Sequence, residues 1–315
     1  MIIIKYQGGL GNQMFQYAMQ LALMKKYKNQ EIKGDNFYFS LNDEHNGFEL
    51  EQYWGININV PTKKELRKVY NGIIQTSKIT NKLKRFIIRK SENKYQYVMD
   101  FFFKNKKNAI IKDDEKFNNY VDKIENLYTG NWYLVGFWQR TDYFEEYRED
   151  IINAFKLNCI VSTEEADIVE KLKNGEFVAV HVRGGDFISS KNNSKHNLCD
   201  YNYYEQAIEE LNKEKLPLIV FTDDEEYSKK ILSKYNVFKF INHGATNSVV
   251  DMYMLSMAKK VIISNSTFAF WGAYLSNIKD QQVICPKYAT WNENNYRHFP
   301  KRDFWKTLDN SKKIK

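Results

Sequence analysis

The chain has 315 residues, enough for two domains of ordinary size, and 43% of them are apolar, the balance of a globular protein rather than a disordered one. No apolar run reaches the length that crosses a bilayer, and the N-terminus enters a strand directly, without the basic, apolar and cleavage regions of a secretory signal. The net charge of +8 favours an anionic partner without naming it, while three dispersed cysteines (Cys159, Cys199, Cys285) and five isolated histidines show neither a disulfide framework nor metal-ligand spacing.

From the N-terminus, Ile2 to Tyr6 reads as a strand. QGGLGNQMFQYA follows at 7–18, and Met14, Phe15, Ala18, Leu21 and Ala22 fall on one face of a helix that packs on that strand. Residues 61–130 are rich in Lys, Asn and aromatics and show no clear alternation, so no element is assigned there. Positive charge is densest between Lys78 and Lys107, where Ile79, Leu83, Phe86 and Ile87 recur at roughly helical spacing. Two readings stay open: a solvated helix packed on the first domain, or a peripheral contact with an anionic membrane surface. Nucleic acid is not an expected partner, because no clustered basic face with interleaved aromatics marks a known module.

GFWQRTDYFEEY closes the first half at 136–147, and the domain boundary is placed within 145–162, giving domains of 1–150 and 151–315. Ser162 and Glu165 form a capping-box pattern before a helix ending near Asn174-Gly175. Strands are then expected at 177–182, 218–222, 238–241, 261–264 and 282–285, with helices near 201–214, 225–235, 248–259 and 267–276. Short β-branched runs alternating with helices predict a parallel sheet covered on both faces. Cys285, at the end of an apolar run, is expected to be a buried free thiol.

Three strand-to-helix junctions carry glycines or small polar residues: the GGLGN loop, HVRGGDF at 181–187, and SNST at 264–267. Helix starts present unpaired amides that favour anions. In the middle junction Arg183 offers a fork of donors for phosphate oxygens, while Gly184 and Gly185 remove side-chain bulk. Together they point to a diphosphate ligand. Asp223 follows the 218–222 strand, and Asp224 begins the next helix; the pair lacks D-x-D spacing and a third ligand, so no metal is assigned.

These strings, in this order, resemble the family 11 glycosyltransferases, the alpha-1,2-fucosyltransferases that use GDP-fucose. The resemblance runs through GGLGNQMFQYA, HNGFEL at 45–50, GFWQRTDYF, HVRGGDF, FTDD at 221–224, DMYMLSMAKKVIISNSTFAFWGAYLS at 251–276, and WNENNY. One position departs: the family usually reads H-x-R-R-G-D-[YF], and Gly184 stands in place of the second arginine. The resemblance implies an α/β fold of two Rossmann-like domains facing a cleft, of GT-B type, with the acceptor on the first and GDP-fucose on the second. It implies transfer of L-fucose from GDP-beta-L-fucose to the 2-hydroxyl of a terminal galactose, with inversion and without a metal or other cofactor. The glycan acceptor is galactose-terminated, with a lipid-linked form as one candidate, and a bacterial-type enzyme in the cytoplasm is expected.

Carried onto this chain, the resemblance gives Arg183 the diphosphate, with Asp186 and His181 beside it as catalytic candidates. Gly9, Gly11 and Asn12, with Gly8, meet the nucleotide sugar; Asp223 reads the purine; Ser266 and Thr267 hold phosphate. Alternatives remain for several: His181 as a structural histidine, Asp186 as an Asx-turn, Asn12 as a helix cap. Trp132, Tyr133, Phe137, Trp138 and Gln139, or His45 and Glu49, are acceptor-side candidates. The missing second arginine leaves a non-catalytic GDP-sugar or glycan-binding protein as the rival reading. If the loop needs no positive φ at Gly184, Gly184→Arg is expected to tighten donor binding.

Overall fold

In a computed structural model of the chain, residues 1–40, 46–70, 108–112, 131–156, 161–184, 199–292 and 295–311 are described. They form two compact units, Met1–Ala154 and Phe155–Lys315, each built on a parallel sheet with helices, so the fold is of the α/β class. Cys159, Gly185, Asp186, His45 and the basic stretch between Lys78 and Lys107 lie outside the described residues.

In the first unit, β1 (Ile2–Lys5) is flanked by β2 (Ile32–Asp35) and β4 (Asn131–Val135), and β3 (Asn108–Lys112) pairs beyond β4; every pairing is parallel. Helix α1 (Leu10–Lys26) follows β1 and buries Met14, Phe15, Ala18, Leu21 and Ala22, the face expected from their spacing. Three glutamines of the same helix, Gln13, Gln16 and Gln20, are buried as well. Short helices α2 (Leu50–Trp54), α3 (Lys63–Tyr70) and α4 (Arg148–Ala154) complete the unit's described helical structure, with 3-10 turns at Phe37–Ser40, Thr141–Tyr143 and Glu145–Tyr147.

The second unit holds a six-stranded sheet in the order β12-β9-β8-β5-β6-β7. Its strands are β5 (Val178–Val182), β6 (Leu218–Thr222), β7 (Val237–Ile241), β8 (Lys260–Ile262), β9 (Gln282–Pro286) and β12 (Lys306–Leu308), all paired in parallel. Counted along the chain within this sheet, the order is 3-2-1-4-5-6, the doubly wound Rossmann arrangement. The helices are α5 (Thr163–Asn174), α6 (Tyr201–Leu211), α7 (Glu225–Ile231), α8 (Ser248–Ser256) and α9 (Thr267–Tyr274). Between β9 and β12 the chain inserts an antiparallel hairpin, β10 (Tyr288–Asn292) and β11 (Asn295–His298), which the sequence reading did not assign.

Each predicted element of this half is present, and the errors lie at element ends, such as the strand expected at 261–264, which runs Lys260–Ile262. Ser162 accepts from the Glu165 amide while Glu165 returns a bond to the Ser162 amide, and α5 stops at Gly175 with φ +76. Helix α6 ends three residues early because the Asn212 side chain takes over: it accepts from the Leu216 amide and donates to the Leu216 carbonyl, both at 2.8 Å. Strand β5 has no exposed residue: Val178, Val180 and Val182 are completely buried, each contributing on the order of 1.5–3 kcal/mol of apolar burial. Cys285 is a buried free thiol, and burial pushes its pKa up to about 12.

His243, just past β7, joins three elements. Its Nε2 lies 2.6 Å from Glu165 Oε1 at the start of α5, and its Nδ1 hydrogen-bonds Asp251 of α8. Burial works to lower the His243 pKa, but hydrogen bonds and attraction from Asp251 and Glu165 outweigh it and raise it above 6.5. A histidine whose folded pKa is raised contributes stability that is full below its unfolded pKa and is lost as pH rises through the folded value. Melting temperature should therefore fall as pH is raised from 6.5 through that value, and His243→Gln should remove this fall. The expected shift is a few degrees, at about 2–4 °C per kcal/mol for domains of this size. Thermal melts of both proteins across pH 5 to 9 check it; parallel curves would show that the bridge is not the titrating element.

Candidate active site

In an open parallel sheet the first side chains beyond the carboxyl ends, beside the strand where the winding reverses, line the ligand crevice. Here the chain winds from β5 outward through β6 and β7, then returns to β8 on the other side of β5. The reversal lies between β5 and β8, and the HVRG segment stands at its edge. Val182 pairs with Thr222 and Val180 with Ile262, so residues past these ends are neighbours by register.

On the β6 side, Arg183 Nη1 is 2.7 Å from Asp223 Oδ2, and the Gly184 amide donates to Asp223 Oδ1 at 2.8 Å. The Arg183 and Asp223 side chains are 31% and 30% exposed, so the pair is open to a ligand as well as to water. The next acid serves differently: Asp224 caps α7 by accepting from the Tyr227 amide at 2.9 Å, as its position before a helix predicts. Thr222 and Ser228 brace this turn, with Ser228 Oγ donating to Thr222 Oγ1 at 2.7 Å.

On the β8 side, His181 Nδ1 and Ser264 Oγ share a hydrogen bond of 2.9 Å, and the imidazole lies against Phe268. Burial, with the charge of Arg183 adding to it, pushes the His181 pKa down to about 3. The ring is therefore neutral at working pH and a poor proton acceptor. The bond to Ser264 and the burial fit the structural reading of His181. Ser266 is the N-cap residue of α9 and is buried; its hydroxyl makes no capping bond, and Thr267 opens the helix. Asn265 anchors the loop between them by donating to the Ala289 carbonyl at 3.1 Å.

The first unit repeats the arrangement at β1, between β2 and β4. Gly8 has φ +80, so the loop favours glycine on conformational grounds, and a Cβ there would also crowd the Asn12 side chain. Gly9 starts α1 through its carbonyl, which accepts from the Asn12 and Gln13 amides at 2.9 and 3.1 Å; Gly11 is buried in the first turn. Asn12 Oδ1 accepts from Gln139 Nε2 at 2.6 Å, so the Asn12 side chain joins the α1 start to the loop after β4.

Sequence reasoning overlooked the glutamines that shape this loop. Gln13 donates to the Gly8 and Gly47 carbonyls at 3.0 and 2.8 Å and accepts from the Glu49 amide at 2.8 Å. Gln16 exchanges bonds with the Gln7 backbone and donates to Gly136 O at 3.1 Å, and Gln20 accepts from the Tyr6 hydroxyl at 2.7 Å. Their signal was available: amides at i, i+3 and i+7 on the same helix that carries the apolar face. Among the acceptor-side aromatics, Trp138 is fully buried at φ +55, and Tyr133 is buried with its hydroxyl donating to Asp35 at 2.7 Å, so both are packing residues.

Among the described residues no group of three His, Cys, Asp or Glu is arranged to hold a metal ion, and no helix is long and apolar enough to cross a membrane. With the geometry in place, comparison with known proteins adds the chemistry. The profile of the family described as "Glycosyl transferase family 11" matches residues 1–307. The chain is similar to an O-antigen biosynthesis glycosyltransferase, WbnK, from Escherichia coli, at 28% identity over 96% of this chain and 98% of that one. It is 33% identical to an alpha-1,2-colitosyltransferase from Escherichia coli over 90% of this chain and 91% of that one. A galactoside 2-alpha-L-fucosyltransferase, SEC1, from Bos taurus matches at 28% identity over 45% of this chain and 42% of its own length.

The expectation for Gly184 needs correction. Its φ lies outside the left-handed region, so backbone freedom is not the reason for glycine. A Cβ there would lie 2.7 Å from Asp224 Cβ and 3.0 Å from Tyr227 Cδ1, in the cap of α7. Gly184→Arg should consequently not tighten donor binding; like Gly184→Ala, it should destabilise by about 1–3 kcal/mol, the cost of overpacking. Thermal melts paired with GDP titration by calorimetry decide this, and a stable Gly184→Arg protein with tighter GDP binding would refute it.

Proposed function

The chain belongs to glycosyl transferase family 11, a family of glycosyltransferases, and from that we propose that it moves L-fucose from GDP-beta-L-fucose to the 2-hydroxyl of a terminal galactose. The second unit takes the donor and the first the acceptor glycan. The observation that carries this is Arg183 at the reversal point of a Rossmann-ordered sheet, in a chain whose family match covers residues 1–307, most of both units. The alpha-1,2 linkage and the galactoside acceptor draw support from what the Escherichia coli and Bos taurus relatives are named for.

Inversion at the sugar carbon calls for a single displacement, with no covalent sugar–enzyme intermediate. The barrier is then met chiefly where negative charge grows on the departing GDP. Arg183, preorganised before the ligand arrives, is placed to stabilise that charge, and a fixed donor is worth more than one that reorganises during the reaction. The amides at the start of α9, with Ser266 and Thr267, are the second set of donors for the diphosphate. His181, buried and with its pKa pushed down to about 3, is less suited to act as the base for the acceptor hydroxyl than to shape the wall of the site.

A second donor is favoured by one specific observation, the 33% identity to a colitosyltransferase. Colitose is fucose without its 3-hydroxyl, so one pocket accepts both unless a protein group bonds that hydroxyl. Turnover with GDP-fucose and GDP-colitose, each on a beta-galactoside with the product linkage determined, separates the donors. Absence of GDP release with either would leave a non-catalytic binder.

Arg183→Lys should keep the melting temperature yet lower turnover about 10²–10³-fold, since lysine cannot reproduce the guanidinium fork. Steady-state rates measured on a folded variant check this, and near-normal turnover would sink the assignment. Charge on the diphosphate is assigned to Arg183 and helix-start amides, so activity should also persist after exhaustive chelation with EDTA. Loss of activity on chelation, restored by magnesium or manganese, would return a metal to the reaction.

A further inference from the structure

We propose that Asp223 is a positioning residue: it fixes Arg183 against the backbone of the β5 loop so that the guanidinium meets the donor diphosphate in one orientation. This rests on the donor reading above and stands as the alternative, for Asp223, to the role of purine reader that the resemblance implied.

The geometry favours positioning. A carboxylate that reads guanine offers both oxygens to the base's paired N–H donors, and each oxygen has a second acceptor site, so the partners it already holds fix its direction rather than fill it. Here Oδ2 is bound by Arg183 Nη1 at 2.7 Å and Oδ1 by the Gly184 amide at 2.8 Å. The second bond matters most. A carboxylate held only by a guanidinium moves with it, whereas one also held by a main-chain amide ties the guanidinium to the sheet. Parallel pairing of Val182 with Thr222 sets residues 183 and 223 side by side at the ends of β5 and β6, so the anchor follows from register.

Gly184 makes the anchor feasible. Its amide reaches Asp223 in a space where a Cβ would strike Asp224 and Tyr227. Asp224 is already committed to the cap of α7, which leaves Asp223 as the acid of the pair that acts on the loop. Asp223 also offsets part of the Arg183 charge, which by itself would weaken attraction for a diphosphate. A charge-masking latch and a positioning residue thus predict opposite signs: removing a latch tightens GDP, and removing a positioning residue weakens it.

The test uses the full chain carrying Asp223→Asn, Arg183→Lys and both, with GDP and inosine diphosphate binding measured by calorimetry, kcat and KM on GDP-fucose, and melting temperature as the control. Asparagine keeps the acceptor for the Gly184 amide and removes the charge that holds Arg183. Expected are a folded Asp223→Asn protein, kcat lower by roughly ten- to a hundredfold, and equal weakening of GDP and inosine diphosphate. The double variant should be no worse than Arg183→Lys alone, as for residues acting through one group. Should Asp223→Asn not fold, Asp223→Glu, which displaces the guanidinium on a longer arm, takes the same measurements with the same equal loss expected. Weakening of GDP well beyond inosine diphosphate would make Asp223 a base reader, tighter GDP would make it a latch, and additive losses would uncouple it from Arg183. Each of these overturns the proposal while leaving the donor reading intact. A wild-type protein that binds neither nucleotide overturns both.

Discussion

Burial of β5 on both faces is the constraint from which the rest of the second unit follows. A strand of five residues with none exposed must be covered by helices on both sides of the sheet and flanked by strands at both edges. Only the carboxyl end escapes, and there the first residue with a charge, Arg183, emerges beside the point where the winding reverses. The polar residues that gather at this edge divide by neighbour: Asp223 from β6 takes the charged side chain, while Ser264 beyond β8 takes the neutral imidazole. One strand thus sets an ionic half and an uncharged half of the same edge.

The two units solve the problem of shaping a loop in different ways. In the second, the first residues past β5, Arg183 and Gly184, are held by an ion pair that is nearly one-third exposed, so its strength is moderated by solvent. In the first, the loop after β1 is held by neutral glutamines with almost no exposure, whose bonds escape that screening. A buried amide has to be satisfied or it destabilises, and Gln13, Gln16 and Gln20 are satisfied by the segments around Gly8, Gly47, Gly136 and Tyr6. The loop's form is consequently written as much in α1 and the loops around it as in its own glycines.

Much of this was legible in the sequence, for reasons that can be named. The capping box at Ser162 and Glu165 and the glycine stop at Gly175 are local codes, read correctly because they need no tertiary information. The apolar face of α1 and the alternation of strands and helices in the second half are periodic codes, and they held too. What escaped has two sources. The early end of α6 comes from a local signal that helical periodicity does not carry, the Asn212 side chain bonding the Leu216 backbone four residues on, and the sheet order that locates the reversal is invisible to periodicity. Asp224 was legible as the start of a helix, but the pairing of Asp223 with Arg183 depends on the register of β5 against β6 and was not. Of the two readings that the aromatics near 132–139 allowed, sugar stacking or packing, the burial of Tyr133 and Trp138 fits packing.

The tight fit of Gly184 against Asp224 and Tyr227 has a consequence for how this sequence can change. An arginine at position 184, the residue usual in the family's pattern, is not one mutational step away in any workable sense. A Cβ at 184 meets Asp224 Cβ at 2.7 Å and Tyr227 Cδ1 at 3.0 Å, so the start of α7 has to shift before one is tolerated. The cost of any side chain at 184 is therefore set by the cap of α7, and substitutions at 184 and in that cap are expected to be non-additive.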